Sequence, residues 1–119
     1  MTANAALFVG WGQAIPGREQ KALQVFNEAI QYWSKLQQQG MIESFEPFLL
    51  EPHGGDLAGF CLLRGQHETL AQLRTTPEFI QLNARAGLVV ANLGVVSAFT
   101  GEALQQQFAD FGQFAAELA

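Results

Sequence analysis

Side chains able to do chemistry are few and scattered in this chain of 119 residues. Trp11 offers a flat indole that stacks well on planar ligands, which suits the aromatic wall of a cavity between a sheet and its helices; core packing is the competing and commoner use of such a ring. Tyr32 and Trp33 are adjacent in a helix-like stretch and so face different ways. Trp33 falls with the apolar residues, which leaves Tyr32 to reach a cleft or a partner helix. His53 stands three residues before Asp56 in a glycine-rich turn, where a histidine–carboxylate bond would set its tautomer, although a solvated loop histidine is the commoner case. His67 opens a short helix, from which an imidazole serves as a base, as an axial haem ligand, or as an ordinary exposed polar residue.

Asn83 and Arg85 pair an amide with a guanidinium, groups suited to an enolate, carboxylate or peroxy anion and equally to a solvated helix face. Being two apart, they do not share one helix face, so only one of them points inward. Asn92 stands in an apolar, strand-like run. A buried amide there must be bonded to a neighbour, bonded across a subunit seam, or lining a wet pocket.

Other arrangements are ruled out by spacing. Gly10-Trp11-Gly12 lacks the third glycine and the immediate helix of a dinucleotide fingerprint. Ser34, Ser44 and Ser97 have no flanking elbow glycines, so acyl-enzyme chemistry is unsupported. Glu43 and Glu46 fall out of phase on a strand, and edge protection explains them better than a paired acid and base. Cys61, the sole cysteine, is mid-strand, where a thiol is inert packing. Two histidines without a carboxylate or cysteine at ligand spacing make a metal site improbable, and no cofactor is expected.

The elements that must position these groups follow from local signals. Ala6 to Gly12 reads as a strand ended by Pro16-Gly17. Ala22, Phe26, Ala29 with Ile30, Trp33 and Leu36 then recur at helical spacing, Glu19 falls in the first turn, and Gly40 takes the usual stop position. Met41 to Glu51 is strand-like, but Pro47 argues for an edge strand or a bulge and so for a place at the sheet border. The turn 52–56 and the strand Leu57 to Arg64 complete a hairpin. A short helix from about His67 to Arg74 is cut from the next by Thr75-Thr76-Pro77-Glu78, with Thr76 as N-cap and Pro77 in first position. Leu88 to Phe99 is expected as the last strand, followed after Gly101 by a closing helix whose apolar stripe is Leu104, Phe108, Phe111, Ala115 and Leu118.

Composition bounds the partners. Eleven acids against six bases give a net charge of -5, which disfavours nucleic acid and anionic lipid. No apolar run is long enough to span a bilayer, and the N-terminus lacks the basic start of a secretory signal, so a cytoplasmic address is expected. Hydrophobic residues reach 49% with ten phenylalanines, more than one thin core uses. The third and last strands are apolar on both faces, so a second surface is needed to bury the surplus.

The order strand-helix-strand, hairpin, helix-strand predicts one α+β domain over 1–119, its core at about 6–100 and a C-terminal helix at about 101–118. Right-handed crossovers then give a ferredoxin-like four-stranded antiparallel sheet with both main helices on one face. With Pro16-Gly17-Arg18-Glu19, Gly54-Gly55-Asp56 and Thr76-Pro77-Glu78-Phe79 in their places, the chain resembles the dimeric α+β barrel group over residues 6–100. That resemblance implies a homodimer through the sheet face. It implies either a small domain binding an apolar or aromatic ligand, or a cofactor-independent monooxygenase acting on an aromatic or quinol; haem degradation is a weaker variant. The candidate pocket residues are Trp11, Tyr32, His67, Asn83, Arg85 and Asn92.

Overall fold

A computed structural model describes residues 3–119; the first two residues of the N-terminal stretch read for targeting signals lie outside the described residues. The elements are β1 (Ala5–Trp11), α1 (Glu19–Gln38), β2 (Ser44–Leu49), β3 (Gly59–Gly65), α2 (His67–Leu73), α3 (Pro77–Gly87), β4 (Gly94–Phe99) and α4 (Gly101–Glu117). The chemistry of their ends is local. After α1, Gly40 adopts φ +75°, the Met41 N–H donates to Leu36 O at 2.9 Å and the Gly40 N–H to Gln37 O at 3.1 Å. This paired closure satisfies carbonyls that a helix end otherwise leaves open. At Thr76 the hydroxyl donates to Leu73 O at 2.7 Å and accepts from the Phe79 N–H at 3.4 Å, while Pro77 begins α3. One threonine thus ends α2 and caps α3.

The four strands form one antiparallel sheet in the order β2-β3-β1-β4, the ferredoxin-like arrangement. β1 is central, with Leu7 opposite Leu63 on one side and Ser97 on the other. β2 is an edge strand and holds Pro47 opposite Cys61, as a residue without an N–H requires. β4 is the other edge, where the Arg74 guanidinium donates to Val95 O at 3.3 Å. Because successive side chains alternate, Ala5, Leu7, Val9, Cys61 and Leu63 face one side and join Ala29, Tyr32, Trp33, Leu36, Leu70, Leu73 and Phe79 in the core. Phe8, Phe60 and Phe48 face the other side, stacked in a row with centroids 5.0 and 4.7 Å apart, and none belongs to that core.

α1 and α3 lie antiparallel over the sheet, joined by the ion pairs Glu28–Arg85 at 2.9 Å and Lys35–Glu78 at 3.0 Å, two helical turns apart on each helix. Both pairs are half-exposed, so they fix helix register more than they stabilise.

Two expectations are corrected. The last strand does not run from Leu88: β4 begins at Gly94, and Asn92 takes φ +55° in a bend. Residues 89–91 bond instead to the segment after β1, through Gly12 N–H to Ala91 O at 2.7 Å, Ala91 N–H to Gln13 O at 2.9 Å and Ile15 N–H to Val89 O at 2.9 Å. Asparagine tolerates the left-handed conformation such a bend needs, so Asn92 is an exposed turn residue and not a buried amide. The apolar stripe of α1 is also wider than 22/26/29/30/33/36, since Val25 and Tyr32 are buried with Ala29, Trp33 and Leu36.

Candidate functional site

Where β1 ends, the sheet, α1, α3 and the 88–93 bend line a half-open cavity of about 370 Å³. Backbone packing is close at this end. A Cβ on Gly12 would come within 2.9 Å of both Ala91 O and Asp56 O, so only glycine lets the chain pass between those two segments. The Arg18 guanidinium donates to Leu88 O, tying the start of α1 to the end of α3 beside the cavity.

The walls are mostly apolar. Trp11 lies across β3, close enough to Gly59 that a Cβ there would be 2.8 Å from the indole Cζ2, and its ring meets Phe26 of α1 edge-on at 5.7 Å. Ala22, Ala29 and Ala86 are small where the two helices face this ring, which is what leaves space. Among the described residues the lining's polar side chains are Gln13, Glu19 and Asn83, beside the indole N–H groups of Trp11 and Trp33, and Glu19 is its one titratable group. The Asn83 Nδ2 donates to Phe79 O at 2.9 Å within α3. Its Oδ1 and second amide hydrogen are thereby left for a ligand. The site can therefore hold a flat apolar molecule and offer it the amide of Asn83, with Gln13 as a second amide in the lining, but among the described residues its lining holds no acid–base pair.

The other sequence-nominated residues lie elsewhere. Tyr32 is buried between α1 and the start of α3; burial raises its phenol above its ordinary value, while a hydrogen bond with Thr76 acts in the opposite direction. Arg85 is committed to Glu28 outside the cavity, so of the pair Asn83 and Arg85 it is the amide that reaches the lining. His67 sits at the far end of the sheet, its ring stacked on Phe99 at 6.1 Å and its backbone N–H donating to Asn4 Oδ1 at 2.9 Å. β1 separates it from Trp11 by about 20 Å of strand. His53 bonds Leu57 O at 2.8 Å through Nε2 and accepts the Gly55 N–H at 3.2 Å through Nδ1, so its tautomer is set by loop backbone and not by Asp56. No group of three potential metal ligands occurs among the described residues. Gln13 and Glu19 were not recoverable from sequence: a polar residue after a strand and an acid in a helix's first turn carry no mark of a cavity.

Cys61 lies within the core with no exposed surface, and burial pushes its thiol up to about 12 from 9.0. Above pH 9 the unfolded chain gives up this proton while the folded chain keeps it, so stability falls as pH rises towards 12. Urea unfolding midpoints are therefore expected to drop more between neutral pH and pH 10 for the wild type than for Cys61→Val; equal drops would contradict the burial effect.

No helix among the described residues is long and apolar enough to cross a membrane. No protein-family model and no curated protein sequence matches the chain. Solved structures do resemble it. A dimeric protein of unknown function and ferredoxin-like fold from Bacteroides fragilis superposes with TM-score 0.60 at 12% identity, over 84% of this chain and 100% of that one. An ethyl tert-butyl ether d (ethd) family protein from Bacillus halodurans gives 0.62 at 13%, over 82% and 99%. SnoaB, a cofactor-independent oxygenase from Streptomyces nogalater, gives 0.55 at 15%, over 83% and 94%. These likenesses show the fold, the ferredoxin-like arrangement already seen in the strand order.

Proposed function

We propose that this chain is a homodimeric binding domain for a small apolar or aromatic molecule held between the sheet and the helices. The observation that carries the reading is the cavity of about 370 Å³ with Trp11 as a flat wall and Asn83 as a polar group on α3. A site of that size and lining takes one or two fused rings and orients them through a small number of hydrogen bonds, that of Asn83 among them. Titration with 1-naphthol, followed by tryptophan fluorescence, is expected to saturate in the sub-millimolar range, the scale that a ligand of about eleven heavy atoms reaches. Ala86→Phe, which places a ring in the cavity, should abolish the response, and Asn83→Leu should weaken it about 5- to 10-fold through loss of one hydrogen bond. Unchanged binding by Ala86→Phe would place the ligand elsewhere and sink the proposal. The homodimer is supported by the uncovered face carrying Phe8, Phe60 and Phe48 and by the dimeric Bacteroides fragilis neighbour.

A second reading, cofactor-independent oxygenation, is favoured by the amide of Asn83 on an apolar wall and by the likeness to SnoaB. In that reaction a bound quinol or phenol supplies the electrons and dioxygen is the oxidant, with one oxygen atom entering the product and the other leaving as water. Asn83 would donate its free amide hydrogen to the developing oxyanion. Absence of dioxygen uptake with hydroquinones that do bind would leave the binding domain as the function.

A further inference from the structure

The spacing of Leu104, Phe108, Phe111, Ala115 and Leu118 alternates four and three, the pattern of a helix with a seam to bury. In its own chain that seam is bare. Phe108, Phe111 and Leu118 are 69%, 72% and 89% exposed, and no residue of α4 is buried. Gly101, at φ +58°, turns the chain out of β4 into this helix, and the helix projects away from the core. The radius of gyration is 16.3 Å, against about 13.5 Å for a compact chain of this length. A lone helix of this length is marginal in water, so its persistence calls for a neighbour.

The occupant can be argued from the chain itself. α4 carries Glu102, Asp110 and Glu117 and no lysine or arginine, unlike helices that lie on anionic lipid. Its exposed phenylalanines with Leu104 and Leu118 present roughly 600 Å² of apolar side chain, at the upper limit of what a free monomer shows. The chain also carries a second uncovered surface, the sheet face with Phe8, Phe60, Phe48 and Val96. A helix of 17 residues is about 25 Å long, enough to cross four strands at about 4.8 Å spacing. Arm and face together exceed the roughly 800 Å² per partner of a standard interface.

We infer that α4 is an exchanged arm: its apolar seam packs on the open sheet face of a second copy, whose own arm returns the contact. Such an exchange closes on itself by two-fold symmetry and leaves no surface to propagate. It rests on the homodimer proposed above and adds to it which element makes the seam.

The test is light scattering on the full chain at micromolar concentration, beside Phe108→Glu/Phe111→Glu. The wild type is expected at twice 13.0 kDa and the variant at 13.0 kDa, with dimer dissociation raised at least about 100-fold by loss of two central aromatic anchors. A wild-type monomer would overturn both the homodimer and the arm. A variant dimer as tight as wild type would overturn the arm alone. Should the variant not fold, hydrogen exchange on the wild type decides. Protection of amides 104–118 that is lost on dilution to monomer supports the exchange, and exchange like that of a free helix at every concentration overturns it. Binding of a monomeric wild type to phosphatidylcholine–phosphatidylserine vesicles through α4 would likewise overturn it.

Discussion

Leu63→Ala is expected to lower the unfolding free energy by about 3 kcal/mol, within the range for emptying a fully buried leucine site, and the melting temperature by on the order of 10 °C. Leu63 has no exposed surface and stands on the core side of β3, opposite Leu7 on β1 and Phe45 on β2. The sheet backbone on either side is locked by ladder bonds, so the vacated volume cannot close. Leu62, one residue earlier, faces the open side and lies outside the core cluster, so Leu62→Ala should cost a monomer clearly less. Thermal melts followed by circular dichroism compare the two. Equal losses would mean that the two faces of the sheet are not distinguished in the way the register requires.

The second large effect is expected at Gly59. A methyl group there would sit 2.7 Å from Phe48 O and 2.8 Å from the Trp11 indole, so both the β2 backbone and the ring must give. The β2 carbonyl yields only at the expense of the sheet, whereas the indole, bordered by the cavity, can swing into it. Gly59→Ala should therefore destabilise by about 1 to 3 kcal/mol through overpacking. Because the displaced ring fills the binding space, it should also weaken 1-naphthol binding at least about 10-fold, the effect of a 1.4 kcal/mol loss. Loss of stability with unchanged affinity would mean that β2 yields and Trp11 does not form the wall.

Much of the fold was legible because its signals are local. Gly40 after the α1 pattern, Thr76-Pro77 between the two helices and Pro47 within an apolar strand each constrain the backbone within a few residues, and the structure uses all three accordingly. The length of β4 was not legible. A run from Leu88 to Phe99 reads as continuous strand until Asn92 is seen to bend left-handed, and that bend is set by pairing of 89–91 with residues more than seventy positions earlier. The face of α1 was half legible: alternative stripes one residue apart are both apolar, because one side of the helix meets the sheet while Ala22 and Phe26 meet the cavity. As for the site, Trp11 and Asn83 could be named as suitable types. That they share a cavity while Arg85 and His67 do not depends on crossover geometry that no spacing encodes.

The two margins of the sheet are guarded unequally. β2 carries Pro47 and Glu46 and resists pairing with another chain. β4 reads Gly-Val-Val-Ser-Ala-Phe, uncharged and rich in strand-forming side chains, with the Arg74 contact to Val95 O at its edge. Once heat loosens the molecule, growth of intermolecular strands should begin on that side. Thermal denaturation would then be governed by a rate and not by an equilibrium: scans would become irreversible and dependent on heating speed, and shelf life would be improved by a charge on the outer side of β4 sooner than by any repair of the core.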